Sequence, residues 1–204
     1  MIPLKMQRLL LRVIDILLSL IGIICGLPIM LTIYVVGFFD TGSPLFFQKR
    51  VGRNQRLFTL VKFRTMSINT SSVGTHLVDT ASITKLGSFL RRTKLDELPQ
   101  LLNVLLGHMS LVGPRPCLPN QTELIEERDK RGVFKVSPGV TGLAQANEID
   151  MSTPRKLARY DQLMINCMSL KLYIKLIIDT ALGKGHGDRV RTHKPTSTAP
   201  KTSS

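Results

Sequence analysis

The order of apolar and polar positions divides the chain into one long hydrophobic run and a series of shorter, mixed segments. Ile16 to Phe39, "ILLSLIGIICGLPIMLTIYVVGFF", is 24 residues without a charge, more than the roughly 20 that cross a bilayer core. After it, "DTGSPLFFQKRVG" (40–52) reads as a turn leaving that run. "RLFTLVKFRTM" (56–66) mixes apolar and basic residues with the alternation of a short strand. Residues 67–82 are polar and rich in turn formers, which predicts a loop. The pattern then predicts helix over 83–93 and again over "PQLLNVLLG", with Pro99 in the first turn and Gly107 as the stop. "VGPRPCLP" (112–119) is too proline-rich for helix, 120–131 resumes it, and "SPGVTGLAQ" (137–145) reads as a glycine-bearing turn. Helical periodicity returns over 154–182, interrupted near Ser169. Within it, 168–183 suits either a core helix or one lying on lipid headgroups, with Lys171 and Lys175 four apart. No internal repeat is visible.

The apolar run is longer than the hydrophobic region of about 7–15 residues in a cleavable signal, and no small-x-small site follows it, so it is expected to stay on the mature protein. Basic residues stand on both flanks: Lys5, Arg8 and Arg12 before it, Lys49, Arg50, Arg53 and Arg56 after it. Lys and Arg favour the cytoplasmic side, so both ends ask for the same side. Pro28, following Gly26 near the middle, removes a helix hydrogen bond and crowds the preceding turn. Two arms of about 12 residues, each about 18 Å long, can enter one leaflet and return. The expectation is a re-entrant helix-break-helix over residues 1–40 rather than a plain transmembrane span with a tolerated proline.

Charge narrows the partners. With 28 basic and 14 acidic residues the chain carries a formal +14 and a pI near 10.2, so it seeks an anion: nucleic acid, acidic lipid or a phosphorylated small molecule. Between Thr41 and Leu95 stand ten Lys or Arg and a single acid, Asp79. The stretch lacks the interleaved aromatics that stack on bases, so nucleic acid is not expected. Membrane lipid and phosphate chemistry both fit. Cys25, Cys117 and Cys167 are odd in number and form no CxxC pair, which points away from a disulfide framework or a zinc site and towards a reducing, cytosol-facing location. The four histidines are scattered, so any metal would be held by oxygen.

Asp96 and Glu97 stand in the most basic neighbourhood of the chain, beside Arg91, Arg92 and Lys94, ahead of an apolar helix. A carboxylate pair there satisfies the helix dipole. It can equally supply a nucleophile towards an activated phosphoryl group and an oxygen ligand for Mg²⁺. Arg115, set between Pro114 and Pro116, leaves a stiff backbone, which suits a guanidinium to bidentate phosphate recognition.

"KRVG", "VKFRTM", "LGSFLRRTKLDELPQLLNVLLGHMSLVGPRP", "SPGVTGLAQ" and "RYD" fall in an order and spacing that resembles the bacterial sugar transferases, the small monotopic phosphoglycosyl transferases, from about Arg8 to about Asp179. The resemblance implies transfer of a sugar 1-phosphate from a UDP-sugar to polyprenyl phosphate at the inner face of the bacterial membrane, with release of UMP. It implies Asp96 as nucleophile, Glu97 as its partner, and Mg²⁺ as cofactor at the pair. Lys62 and Arg64 then match the family's basic pair, Arg91 and Arg115 its phosphate-binding arginines, Asp161 the Asp of its Tyr-Asp motif, and Pro28 the proline that breaks its re-entrant membrane helix. "EIDMSTP" (148–154) and "GKGHGD" (183–188) lie outside the family-wide signature and leave the sugar unsettled, with family usage leaning to an N-acetylated amino- or deoxy-sugar.

The expected fold is therefore α+β and mainly helical. It comprises the membrane hairpin (1–40), a small membrane-associated cytoplasmic catalytic domain with short strands (41–183), and a disordered basic tail (184–204). The oligomeric state stays open, a dimer being one option. A membrane-anchored basic module that binds anionic lipid or nucleic acid without turnover is the alternative, and it leaves the two carboxylates without a purpose.

Overall fold

A computed structural model describes residues 4–68 and 82–182, so most of the expected 67–82 loop and the whole tail from 184 lie outside the described residues. The chain opens with α1 (Leu4–Thr41), a helix of 38 residues that contains Pro28. This differs from the expected helix-break-helix, because the helix is assigned without interruption through the proline. Proline forfeits one backbone hydrogen bond, and α1 is supported by contacts on both sides of the gap. Before it, Gly22 lies so close to α3 (Gln100–Leu105) that a Cβ there would meet Leu101 at 2.9 Å. After it, Ile33 joins Phe63 and Leu90 in a buried cluster, and Thr32 Oγ1 donates to the Pro28 carbonyl at 2.9 Å.

The helix lies along the remainder of the protein by one face. Asp15, Ser19, Ile33 and Gly37 are buried, at spacings that keep them on one side of a 3.6-residue period, while Leu17, Ile24, Leu31 and Val35 are exposed. Only 11 % of its most apolar window is covered by the rest of the chain, and it is long and apolar enough to cross a membrane. Gln7 Nε2 donates to Met168 O at 2.9 Å, and Arg12 caps the end of α3 through Val104 O at 2.7 Å and Leu105 O at 3.0 Å. Asp15 Oδ1 accepts from Leu111 N at 2.8 Å, from Ser110 Oγ at 3.2 Å and from the Tyr173 hydroxyl. Burial, with the Asp15 charge adding to it, pushes the Tyr173 phenol well above its ordinary range, which keeps it the donor in that pair.

Two small sheets follow. β1 (Leu45–Val51) and β2 (Leu57–Phe63) form an antiparallel hairpin in register from Leu45↔Phe63 to Val51↔Leu57. β1 occupies much of the stretch read as a turn. Its alternation is inverted, since Gln48 and Arg50 point inward while Phe47 is exposed, and polar positions on the buried face hide a strand from a hydrophobic pattern. β3 (Ser110–Val112) pairs in parallel with β4 (Gly139–Thr141), which replaces part of the expected 137–145 turn, and α5 (Leu143–Ala146) takes the rest. The crossover carries α4 (Thr122–Lys130). A Cβ on Gly139 would fall 2.0 Å from Gly113 N, so only glycine permits this approach.

The predicted helices stand as α2 (Lys85–Thr93), α3, α4, α6 (Pro154–Asn166) and α7 (Leu170–Ala181), the last two parted at Ser169, whose side chain caps α7. α7 packs Tyr173 and Leu176 into the main core with Phe58, Leu60, Val104 and Met109. It also exposes Lys171 and Ile178, so the core reading describes its inward face. A second core holds Val51, Cys117, Leu124, Phe134, Ile149 and Leu157.

Truncating Asp15 strands the Leu111 N–H, at about 1–3 kcal/mol when buried, and leaves the Ser110 and Tyr173 hydroxyls to meet each other at 3.1 Å. Asp15→Ala should lower the melting temperature of the detergent-solubilised protein by about 5–10 °C. Asp15→Asn, whose amide oxygen still accepts, should cost less.

Candidate active site

α2 ends where Lys94 adopts the left-handed conformation at φ 58°, its N–H returning to Arg91 O and Leu90 O. The chain then makes one 3₁₀ turn, Leu95–Glu97, before Pro99 opens α3. The carboxylate pair therefore stands one turn ahead of the helix rather than in its first turn, because Lys94 redirects the chain. α2 is itself seated closely, since a Cβ on Gly87 would meet Thr65 O at 2.0 Å. Arg91 Nε donates to Thr65 Oγ1 at 2.8 Å.

Asp96 is 5 % exposed. Glu97 Oε1 meets Arg115 Nη2 at 3.3 Å, in a pair that keeps some contact with solvent. Burial lowers the Lys94 ammonium's pKa, Glu97 opposes that, and Arg115 adds to it, which places Lys94 in the field of both. Glu97 and two cations, Lys94 and Arg115, thus converge from the α2–α3 turn and the Pro-Arg-Pro segment after β3, with Asp96 buried next to Glu97 in the chain. Beside Arg115 a shallow hollow opens between the hairpin tip and the segment before β4, lined by Val51, Gly52, Pro114, Phe134 and Pro138 among others.

The other expected site residues are distributed differently. Lys62 and Arg64 flank the Phe46 ring, at 5.7 and 5.4 Å from its centroid. Arg64 also donates to Ser43 O at 2.8 Å and Leu45 O at 3.3 Å, holding the chain that leaves α1. Arg91 stands on α2, one turn before Lys94. Asp161 is buried inside α6 and does not reach the Asp96–Glu97 pair; its Oδ2 lies 2.7 Å from Arg128 Nη2 and accepts from Nε at 2.9 Å. Burial pushes its carboxyl upward, and Arg128 pulls it back. Arg128 Nη1 donates in turn to Arg115 O at 2.8 Å, so Asp161 is linked to the site's Arg115 through Arg128.

Sequence reasoning missed Arg128, hidden in "EERDK", which reads as a solvated charged face. It also missed the inward turn of Arg50, one of several cations flanking the membrane run. Among the described residues no group of three or more His, Cys, Asp or Glu side chains gathers as a metal cage. Asp96 and Glu97 supply two carboxylates, a donor set that suits Mg²⁺ completed by phosphate oxygens and water.

Residues 6–184 match the model of a family described as bacterial sugar transferase, a match that takes in α1 and α7 as well as the carboxylate pair. The chain belongs to the bacterial sugar transferase family. It is 39 % identical over 167 residues to an uncharacterised sugar transferase of Bacillus subtilis, covering 81 % of this chain and 82 % of that one. It is 37 % identical over 179 residues to a UDP-glucose:undecaprenyl-phosphate glucose-1-phosphate transferase of Xanthomonas campestris, covering 82 % and 37 %. Identity is 36 % over 169 residues to an undecaprenyl-phosphate galactose phosphotransferase of Salmonella typhimurium, covering 73 % and 35 %. The chain thus spans about a third of the length of these last two bacterial sugar transferases and most of the first.

Arg115 is the residue of this site whose geometry should matter beyond its charge. Arg115→Lys keeps the cation but loses the planar fork. It should lower sugar-transferase turnover by about 10²-fold, measured as nucleotide release, with little change in melting temperature.

Proposed function

We propose that this bacterial sugar transferase moves a sugar 1-phosphate from a UDP-sugar to undecaprenyl phosphate, through a covalent intermediate on Asp96. The observation that carries the proposal is a buried carboxylate, Asp96, next to a second one ion-paired to Arg115, in a strongly basic surface beside an apolar helix. A polyanion binder without turnover gains nothing from that pair. The two relatives named for an activity act on undecaprenyl phosphate, with glucose and galactose in their names. Since the sugar differs between them, the proposal stops at the UDP-sugar class.

In the first step an Asp96 oxygen attacks the β-phosphorus of the donor. The bond from that phosphorus to the bridging oxygen breaks, and UMP departs with the electron pair. In the second, an oxygen of undecaprenyl phosphate attacks the same phosphorus, forming the lipid pyrophosphate sugar and returning Asp96 as a carboxylate. Only one of two adjacent side chains can lie in line with the leaving group. Glu97, held by Arg115, supports the second role. Arg115 and Lys94 offset charge on the departing UMP. Asp96 and Glu97 are the residues that would hold Mg²⁺, whose chemistry there is neutralisation of the donor's pyrophosphate.

The proposed location is the cytoplasmic face of the bacterial inner membrane, with both ends of α1 on that side. Contacts to one folded domain at both ends of the helix support this, Gln7 against Met168 and Gly37 against Pro44, together with the basic residues on both flanks. The exposed apolar face of α1 then enters lipid without carrying the domain across. A cysteine introduced at Pro3 should label from the cytoplasmic side; labelling from the periplasm alone would refute the topology.

Asp96→Asn should abolish UMP release and labelling by a donor radioactive in the sugar phosphate, because a neutral amide is a poor nucleophile. Glu97→Gln should turn over poorly yet still accept label slowly when undecaprenyl phosphate is withheld. Peptide mapping of the trapped adduct decides the assignment: label on Glu97, or no adduct with ternary-complex kinetics, overturns it. Chelation should stop UMP release, and added Mg²⁺ should restore it.

A further inference from the structure

Four consecutive carbonyls around Arg115 are each held by a donor, and the donors come from three parts of the chain: the end of β1, α4 and β4. Pro114 O accepts from Gly139 N at 2.9 Å and Cys117 O from Val51 N at 2.9 Å. Between them, Arg115 O accepts from Arg128 Nη1 at 2.8 Å and Pro116 O from Arg50 Nη1 at 3.0 Å. Pro114 and Pro116 already fix φ at about −65° on either side. The segment that presents the Arg115 guanidinium to Glu97 therefore has its backbone fixed from within and from outside.

The two arginines in this clamp are buried. Arg128 is 1 % exposed, in the wall of the hollow beside Arg115, and Arg50 is 8 % exposed. Arg50 Nη2 is turned to Gln48 Oε1 at 2.6 Å. Asp161 replaces an apolar residue on the inward stripe of α6, between Leu157, Ala158 and Met164, and among the described residues its partner is Arg128. A buried ion pair is a weak source of stability, and apolar residues would fill the same space. What this pair does that an apolar pair cannot is hold Arg128 at a fixed angle, with Nη1 directed at the Arg115 carbonyl.

We infer that Arg128, oriented by Asp161, is a positioning residue that sets the place of the Arg115 guanidinium, and that α4 and α6 contribute to donor binding only through this relay. The inference rests on the proposed reading in which Arg115 meets a phosphate of the UDP-sugar. Arg50 performs the parallel task one residue further on.

The test uses the full chain in nanodiscs and the paired substitution Arg128→Met with Asp161→Leu, which removes both buried charges and leaves neither stranded. The expected result is a melting temperature within a few degrees of the parent, and faster hydrogen exchange across Val112–Leu118. UDP affinity by calorimetry should fall about tenfold or more, and adding Arg115→Lys should change it no further, as for residues acting through one contact. Parental UDP affinity in the folded double variant, or losses that multiply with Arg115→Lys, overturn the inference. If the double variant does not fold, Arg128→Lys decides. Its single ammonium can keep Asp161 but not the carbonyl together with it, so the same loss of affinity and faster exchange are expected at parental stability. Failure of both variants to fold overturns the inference in favour of a purely structural pair. If the parent protein neither binds UDP nor releases UMP, the donor reading fails. The backbone relay is then judged on hydrogen exchange alone, where unchanged protection of Val112–Leu118 in the folded variant refutes it.

Discussion

A carboxylate in the N-terminal third of α1, immediately ahead of its uncharged run, is the constraint around which this protein is arranged. Asp15 cannot stay buried unless donors reach it. They come from Leu111, Ser110 and Tyr173, so α1, β3 and α7 meet at one oxygen. β3 leads directly into the segment that carries Arg115. The interaction that seats the membrane-compatible helix and the one that places the site's arginine are thus a few residues apart on the same strand. The seating of the helix on the domain and the position of the site are set together.

The formal charge of +14 describes the protein's appetite for anions less well than it first implies. Arg12, Arg50, Arg64 and Arg128 all donate to backbone carbonyls: at the end of α3, at Pro116, at the exit of α1 and at Arg115. A guanidinium suits this work because it offers several donors in a rigid plane and remains weakly hydrated. These cations hold irregular backbone where no helix or sheet satisfies it, and irregular backbone is what surrounds the Asp96–Glu97 turn. Of the cations beside the carboxylate pair, Arg115 is held by one of these four, Arg128, through its own carbonyl.

What could be read from the sequence follows the range of the interactions. The apolar helix, the β2 strand, the helices on either side of Asp96 and the division at Ser169 are recorded in local periodicity and punctuation, and they stand in the structure. The contact between Glu97 and Arg115 joins two of the residues that the motifs singled out. β1 escaped because its buried positions are Gln48 and Arg50. β3 and β4 escaped because three residues are too few to show a period. The Arg128–Asp161 pair joins residues 33 positions apart, and nothing local marks either one as inward. Pro28 misled in the opposite direction: locally it breaks a helix, but contacts on both sides support the helix across it.

Chain order gives the Asp15 network a temporal side. Asp15 leaves the ribosome 95 residues before Ser110 and 158 before Tyr173. At about 5–20 residues per second, its first partner follows about 5–19 s later and its last about 8–32 s later. For that interval the helix exists without the donors that bury its charge, and a bare carboxylate deep in hydrocarbon is costly. Water is the partner at hand. Until β3 and α7 are made it alone solvates the acid, and completion of the fold exchanges that water for protein.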